Sequence, residues 1–534
     1  IESISIPSTV TQISEGAFSH CEQLVRVDFA SNSELRTIGK FAFYGSSIQY
    51  IIIPSHVTQI GDLAFEDCYQ LTRVEFAPNS ELRTIGISAF NNSSVNSISI
   101  PASVVDLQNG WCRRTRKLTH VEVEEGNNRY CSIEGKYIIG KSDLNKDEYD
   151  TLVFCLPDII DVNIISNKSI KIIDSYSFSF LQIESIIIPS HITRIGKYAF
   201  ERCEKLTKVE FEPNSELQII DSCAFADISI NSILIPSHVT QICEQAFAGC
   251  QNLTKVEFEP NSELQIIGRY AFANKSINSI LIPSHVTQIC ERAFSQCKNL
   301  TKVEFEPNSE LQTIGDHAFS ESSIKKISIP SHVTEICEGA FKECRHLTKV
   351  KISSDSELQT IGQHAFTYSK IKRILIPSHV TQICQGAFFL CHKLSKVKIA
   401  SDSKLQVIEK DVFSRTRIKD ILIPSHVKLI SQCAFAGSSL SKFECAPNSE
   451  LRTIESLAFD NSNVNSISIP ASVVDLKKGW CKDTRNLTHV EVEEGNKCYC
   501  SIEGKYIIGK SDLDKVEYDS LVFVIHNIKS VSIP

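Results

Sequence analysis

The segment Gly135-Lys-Tyr-Ile-Ile-Gly140-Lys141-Ser142 satisfies the phosphate-loop string G-x-x-x-x-G-K-[ST], and Gly504 to Ser511 repeats it. Such a loop works when backbone amides and a Lys surround phosphate groups, which needs a buried strand before it and a helix starting at the Lys. Here Lys-Tyr-Ile-Ile favours a strand inside the loop itself, and the charged run Asp143-Leu-Asn-Lys-Asp-Glu stands where the helix should begin. Nucleotide binding through Lys141 or Lys510 is therefore disfavoured. Asp143, Asn145 and Asp147 alternate as at the start of a calcium loop, but Glu148 occupies the position of the required Gly and Phe154 that of the bidentate Glu.

His56, His191, His238, His285, His332, His379 and His426 each follow a Ser. A zinc site needs ligands converging within a few ångström, whereas members of this series recur with a long sequence period and fall about two strand spacings apart. Ser-His adjacency also makes no catalytic pair, because nucleophile and base must face each other with a third group in support. Most of the 20 Cys follow the same period. Cys21, Cys68, Cys203, Cys250, Cys297, Cys344 and Cys391 lie three residues after a Phe, and Cys243, Cys290, Cys337 and Cys384 take a position held elsewhere by Gly. They read as buried thiols serving as small apolar residues. Cys112 with Cys131, and Cys481 with Cys498 or Cys500, are the candidates for pairing.

These residues are carried by a repeat. Ile-Pro-Ser recurs with its Pro at 7, 54, 189, 236, 283, 330, 377 and 424, a period of 47 where uninterrupted. Each period holds two similar halves, so the unit is 23 or 24 residues. Its first part alternates, as in Val303, Phe305 and Ile327, Ile329, which predicts a short strand buried on one side. Its second part, such as Val286, Ile289, Ala293 and Phe294, has helix-like spacing over about two turns. Units this small must stack to bury their apolar faces.

The unit Leu-Thr-Lys-Val-Glu-Phe-Glu-Pro-Asn-Ser-Glu-Leu-Gln-Thr-Ile-Gly-Asp-His-Ala-Phe (Leu300 to Phe319) resembles the leucine-rich repeats of the BspA-like surface antigens, particularly the protozoan, trichomonad-type group. The resemblance covers nearly the whole chain. It implies an α/β leucine-rich-repeat solenoid, right-handed, with a parallel sheet on one face and short helical or irregular segments on the other. About twenty stacked strands would extend on the order of 100 Å. It also implies a non-enzymatic role in adhesion or recognition at the cell surface. The other reading is an intracellular interaction scaffold, to which unpaired cysteines point.

Four segments are expected: repeats over 1–101, a divergent island with a β-hairpin over 102–165, repeats over 166–469, and a second copy of the island over 470–534. Glu81 to Phe154 matches Glu450 to Phe523 without a gap, which marks a block duplication. In both copies Tyr-Cys-Ser-Ile-Glu-Gly-Lys-Tyr-Ile-Ile reads as two strands around a Glu-Gly turn.

Recognition is expected on the open face of the sheet, at the positions between the buried residues of each strand. Over most of the chain these positions mix signs, as in Lys255 with Glu257 and Lys302 with Glu304. Lys325, Lys326, Lys349, Lys351, Lys372, Arg373, Lys396, Lys398 and Lys419 instead form a basic stripe. From Glu321 to Asp420 there are 17 basic and 10 acidic residues, a net of +7 within a chain of net −8. An acidic glycan or an acidic protein face is the expected partner of the stripe. The overall charge argues against a general nucleic-acid binder, and no cofactor or metal is expected.

With 42% hydrophobic residues, the 534-residue chain can build a core. No apolar run approaches the roughly 20 residues of a membrane span. Sequons at Asn91, Asn92, Asn167, Asn252, Asn274, Asn299 and Asn486 permit a glycosylated protein. There is no Met, Ile1 falls inside a strand motif and Pro534 ends another, so the expectation is an excerpt of a longer repeat protein.

Overall fold

The computed structural model describes residues 1–160, 162–512 and 514–526; the strand motif that ends at Pro534 lies outside the described residues, as does the close of the 470–534 segment. The chain divides into two compact units, Ile1–Pro260 and Asn261–Pro534.

Each coil contributes one strand to a parallel sheet. In the first unit Ser3–Ile6, Arg26–Phe29, Tyr50–Ile53, Arg73–Phe76, Ser97–Ile100 and His120–Val123 lie side by side. In the second, Ser279–Ile282, Lys302–Phe305, Lys326–Ser328 and Lys349–Lys351 do the same. Alternation decides which side faces the core: in Lys302–Phe305 the Val303 side chain is buried while Lys302 and Glu304 stay in water. Pro307 follows this strand, and its lack of an amide hydrogen suits it to the turn there.

The second part of the unit is not helical, and this corrects the expectation of an α/β fold with helical segments. Among the described residues the only helical element is the 3-10 turn Asn163–Ser166. Gln288–Ile289 instead forms a two-residue strand paired in parallel with Ile266–Ile267 on one side and Thr313–Ile314 on the other, within a second ladder of short strands. The Ala-Phe segment then runs as tight turns. An α-helix spends each amide on the carbonyl four residues back. Here Arg292, Phe294 and Gln296 donate instead to Asp316, Ala318 and Ser320 of the following coil, at 2.8, 2.8 and 2.7 Å. Left-handed φ values of 52° at Arg292 and 58° at Gln296 break any helical continuation. Val286, Ile289, Ala293 and Phe294 are all fully buried, so the apolar spacing reported the core correctly and the hydrogen bonding wrongly.

The core of each unit is a column of phenylalanines. In the second unit Phe294, Phe319, Phe341 and Phe366 stack nearly parallel, with centroids 5.4, 5.4 and 5.3 Å apart. In the first unit the column Phe43, Phe65, Phe90 passes to Trp111 and then to Phe154 of the hairpin segment. That segment pairs Tyr130–Ile133 antiparallel with Tyr137–Gly140, and the latter with Thr151–Cys155. Glu134 and Gly135 both have positive φ, the backbone of a tight type I′ hairpin turn. Thr151–Cys155 then pairs in parallel with Ile172–Ile173, restoring the short-strand ladder beyond the interruption. On the turn side the array closes directly: Arg113 reaches Glu201 at 3.2 Å and lies over the Tyr176 ring.

Candidate functional site

The phosphate-loop string is a strand followed by a loop tied down by a carboxylate. Tyr137–Gly140 is paired on both sides, the Lys141 amide donates to the Arg129 carbonyl at 3.1 Å, and the Ser142 amide donates to Asp150 Oδ1 at 2.7 Å. The amides that would cradle a phosphate are thus already committed. Ser142 Oγ donates to Asp150 Oδ2 at 2.6 Å and Lys146 Nζ donates to Ser142 Oγ at 2.9 Å; Ser511, Lys515 and Asp519 repeat the cluster. Burial alone would raise the Asp150 carboxyl, but hydrogen bonds from Lys146 and Ser142 outweigh it and lower its pKa to about 2. The Gly-Lys-Ser string is therefore spent on holding a loop.

The cysteines after each Phe have a role beyond filling space. Cys344 and Cys391 are fully buried, and their thiols donate to the carbonyls of Phe319 and Phe366 in the preceding coil, both at 3.1 Å. Ser322 and Ser369 lie 3.3 Å from the same sulfurs. Burial pushes both thiols up to about 12, so they stay protonated donors. Cys112, Cys131, Cys481, Cys498 and Cys500, the candidates for pairing, form no disulfide. The Ser-His histidines sit on the loops after the strands, exposed except for the half-buried His191. Among the described residues no group of three or more His, Cys, Asp or Glu converges to hold a metal ion.

The remaining candidate is the basic stripe, and the strand register brings its members together. Where the repeat reads Lys-Val-Glu-Phe, each Lys neutralises the Glu two residues on: Lys208 with Glu210 at 2.8 Å, Lys255 with Glu257 at 2.9 Å, and Lys302 with Glu304 at 2.8 Å. At 349–352 and 396–399 the same unit reads Lys-Val-Lys-Ile, so the internal partner becomes a second cation. Lys326 lies opposite Lys349, and Ser328 opposite Lys351. Arg373 lies opposite Lys396, and Leu375 opposite Lys398. Like charges facing each other across strands are unfavourable, by roughly 0.2–1 kcal/mol a pair. The fold carries them because the inward residues, Val350 and Ile374 among them, are buried regardless of what faces water.

Lys326, Lys349, Lys351, Arg373, Lys396 and Lys398 surround a shallow cavity of about 650 Å³, and Lys372 lines it as well. Lys325 and Lys419 stand beside the cavity, each just ahead of a strand. All nine side chains are exposed, and among the described residues none is in an ion pair. Asp420 opens the strand after Lys396–Ile399 and Glu304 lies on the far side, so carboxylates bound the tract at both ends. Three further cations belong to it. Lys370, Lys393 and Arg417 are exposed two, three and two residues ahead of Lys372, Lys396 and Lys419, at the repeat position held by Asn299 in an earlier coil. The periodic sequence contained that signal; these residues were missed because they precede the strand alternation.

The family profile described as BspA type leucine rich repeat region (6 copies) matches residues 1–119, 171–301, 265–395 and 406–528. Solved structures with a similar fold include a leucine rich cell surface protein from Faecalibacterium prausnitzii, 27% identical over 57% of this chain and 79% of that one, with a TM-score of 0.41. A leucine-rich repeat protein from Bacteroides ovatus is 20% identical over 92% of both chains, with a TM-score of 0.44. The pneumococcal vaccine antigen PcpA is 19% identical over 76% of this chain and 78% of that one, with a TM-score of 0.36. No curated protein sequence matches the chain.

Proposed function

The chain belongs to the BspA-type leucine-rich-repeat family, and from that premise we propose that it is a non-enzymatic cell-surface recognition protein whose open sheet face binds an anionic ligand through the basic tract. One observation carries the proposal: in the two coils on either side of the strand Arg373–Ile376 a self-neutralising Lys-Glu pair is replaced by two lysines, Lys349 with Lys351 and Lys396 with Lys398, on a face the core does not use. Solvation alone would be served as well by the paired arrangement found in the other coils.

The test is the combined variant Lys349→Glu, Lys351→Glu, Lys396→Glu and Lys398→Glu, with retention on an immobilised sulfated polysaccharide followed as salt is raised. A basic residue near an anionic surface contributes about 1 kcal/mol. Discounted for shared contacts, the four reversals should weaken binding by about a hundredfold. All four side chains point to solvent, so folding should survive. Unchanged, salt-sensitive retention would overturn the proposal.

A second reading, an intracellular interaction scaffold, is favoured by the unpaired cysteines of the hairpin segments. The sequons separate the two readings. Asn167, Asn252, Asn274, Asn299 and Asn486 are exposed, whereas Asn91 is buried with its amide donating to Glu66. In protein recovered from its own cells, mass spectrometry should find glycan on at least one of the five exposed asparagines and none on Asn91. Bare asparagines throughout would favour the intracellular reading.

A further inference from the structure

We infer that the ligand of the basic tract is a linear polysaccharide bearing sulfate or carboxylate groups, and that it lies across the strands along the direction in which the coils stack. This rests on the reading of the tract as an anionic-ligand surface and narrows it to one class of partner and one orientation.

The first support is the arrangement of charge. Lys326, Lys349, Arg373 and Lys396 open four consecutive strands; the register sets Lys326 beside Lys349, and Arg373 beside Lys396. At about 4.8 Å per strand this column spans roughly 14 Å. Charges on either side of it alternate coil by coil. Lys325, Lys372 and Lys419 precede the strand in every second coil, and Lys351 and Lys398 lie beyond the column in the coils between. Each flanking series therefore recurs about every 10 Å, twice the strand spacing. A chain of repeating, alternately oriented units meets such a surface in register. A compact acidic patch does not.

The second support is what the tract lacks. Protein interfaces are depleted of Lys and enriched in Trp, Tyr and Arg, with apolar anchors filling pockets. The nine residues of the stripe include one Arg, and the cavity lining adds only Thr348 and the aliphatic Val350, Ile352, Ile374 and Leu375. Single-stranded nucleic acid would be held by aromatic platforms under its bases, and no aromatic residue lines this cavity. Lysine is a strongly hydrated point charge on a flexible stem, without the fixed bidentate geometry of Arg. Lysines can follow sulfate and carboxylate groups whose positions vary along a polymer, while their stems lie along the half-buried Leu375 on the same face.

The experiment titrates the whole chain with heparin-derived oligosaccharides of increasing length, with fully desulfated chains, polyglutamate and oligothymidylate as comparison polymers. Affinity should climb with oligosaccharide length by about fivefold for each further lysine engaged, then level off once the column is spanned. Lys349→Gln and Lys396→Gln should each lower the plateau about fivefold and reduce the salt slope by about one. Lys208→Gln, whose partner is Glu210, should change neither. Binding that is independent of chain length would overturn the aligned geometry. Polyglutamate or oligothymidylate bound as tightly, and weakened by the same variants, would overturn the polysaccharide while leaving anionic recognition standing. No binding of any polyanion would overturn both.

Discussion

Phe319→Ala should destabilise the unit Asn261–Pro534 by about 3–5 kcal/mol, the range for removing a fully buried aromatic ring. Phe319 is 0% exposed and lies between Phe294 and Phe341, with interplanar angles of 4° and 7°. Offset stacking of this kind contributes about 0.5–1.5 kcal/mol beyond burial, and here both faces of the ring are used. The hole cannot close cheaply. The main chain beside it is bonded to both neighbours, from Phe294 to the Ala318 carbonyl and from Phe319 to the Ala340 carbonyl, each at 2.8 Å. The Phe319 carbonyl also receives the Cys344 thiol. Coils held at fixed spacing leave a cavity open, which places the cost toward the upper end of the range. Urea unfolding measures the total, and hydrogen exchange should show lost protection centred on the coils that carry Phe294, Phe319 and Phe341. A loss below about 1 kcal/mol would mean that the column is not what couples neighbouring coils.

Trp111→Ala should have a comparable effect in the unit Ile1–Pro260, about 3–5 kcal/mol. Trp111 is 2% exposed and spans the interruption: Phe90 packs edge-on against it at 6.4 Å, and Phe154 of the hairpin segment lies 5.5 Å away. Its Nε1 has no hydrogen-bond partner among the described residues, so the loss is of packing alone. Trp111→Phe, which keeps a ring between Phe90 and Phe154, should therefore cost much less. The protein has 2 Trp, one in each unit, so either Trp111 variant leaves Trp480 as the only indole. Unfolding followed by backbone circular dichroism and by Trp480 fluorescence should then separate, the first-unit transition moving down and the indole transition staying in place. Equal costs for the Ala and Phe variants would show that the indole is not a joint between the repeats and the hairpin.

Much of this was legible in the sequence because a repeat states its environment many times over. The alternation in Lys302 to Phe305 placed Val303 inside and Lys302 and Glu304 outside, as the structure has them. What could not be read was where the backbone hydrogen bonds go. Val286, Ile289, Ala293 and Phe294 have spacing compatible with a helix, yet burial periodicity is silent about hydrogen-bond partners. The partner of the Phe294 amide is the Ala318 carbonyl, a full coil away. The same limit applies to the thiol of Cys344, whose acceptor Phe319 belongs to the previous coil. The basic stripe was visible because each strand repeats its neighbour's register, so a column in space is a column in the aligned repeat. Lys370, Lys393 and Arg417 form one column more, beyond the reach of strand alternation.

The forward-running bonds of the turns also bear on how such an array responds to force. Each coil is fastened to the coils on either side of it, forward by links such as those of Arg292, Phe294 and Gln296 to Asp316, Ala318 and Ser320, and back by links such as those of Glu306 and Gly315 to Ile282 and Ile289. A pull applied at one end therefore meets a single coil boundary at a time. Each coil that peels away would release about 23 residues, or roughly 80 Å of extended chain. The coils not yet reached would keep their rows of lysines in register. A protein built this way can lengthen in equal steps under tension while the rest of its contact face stays engaged.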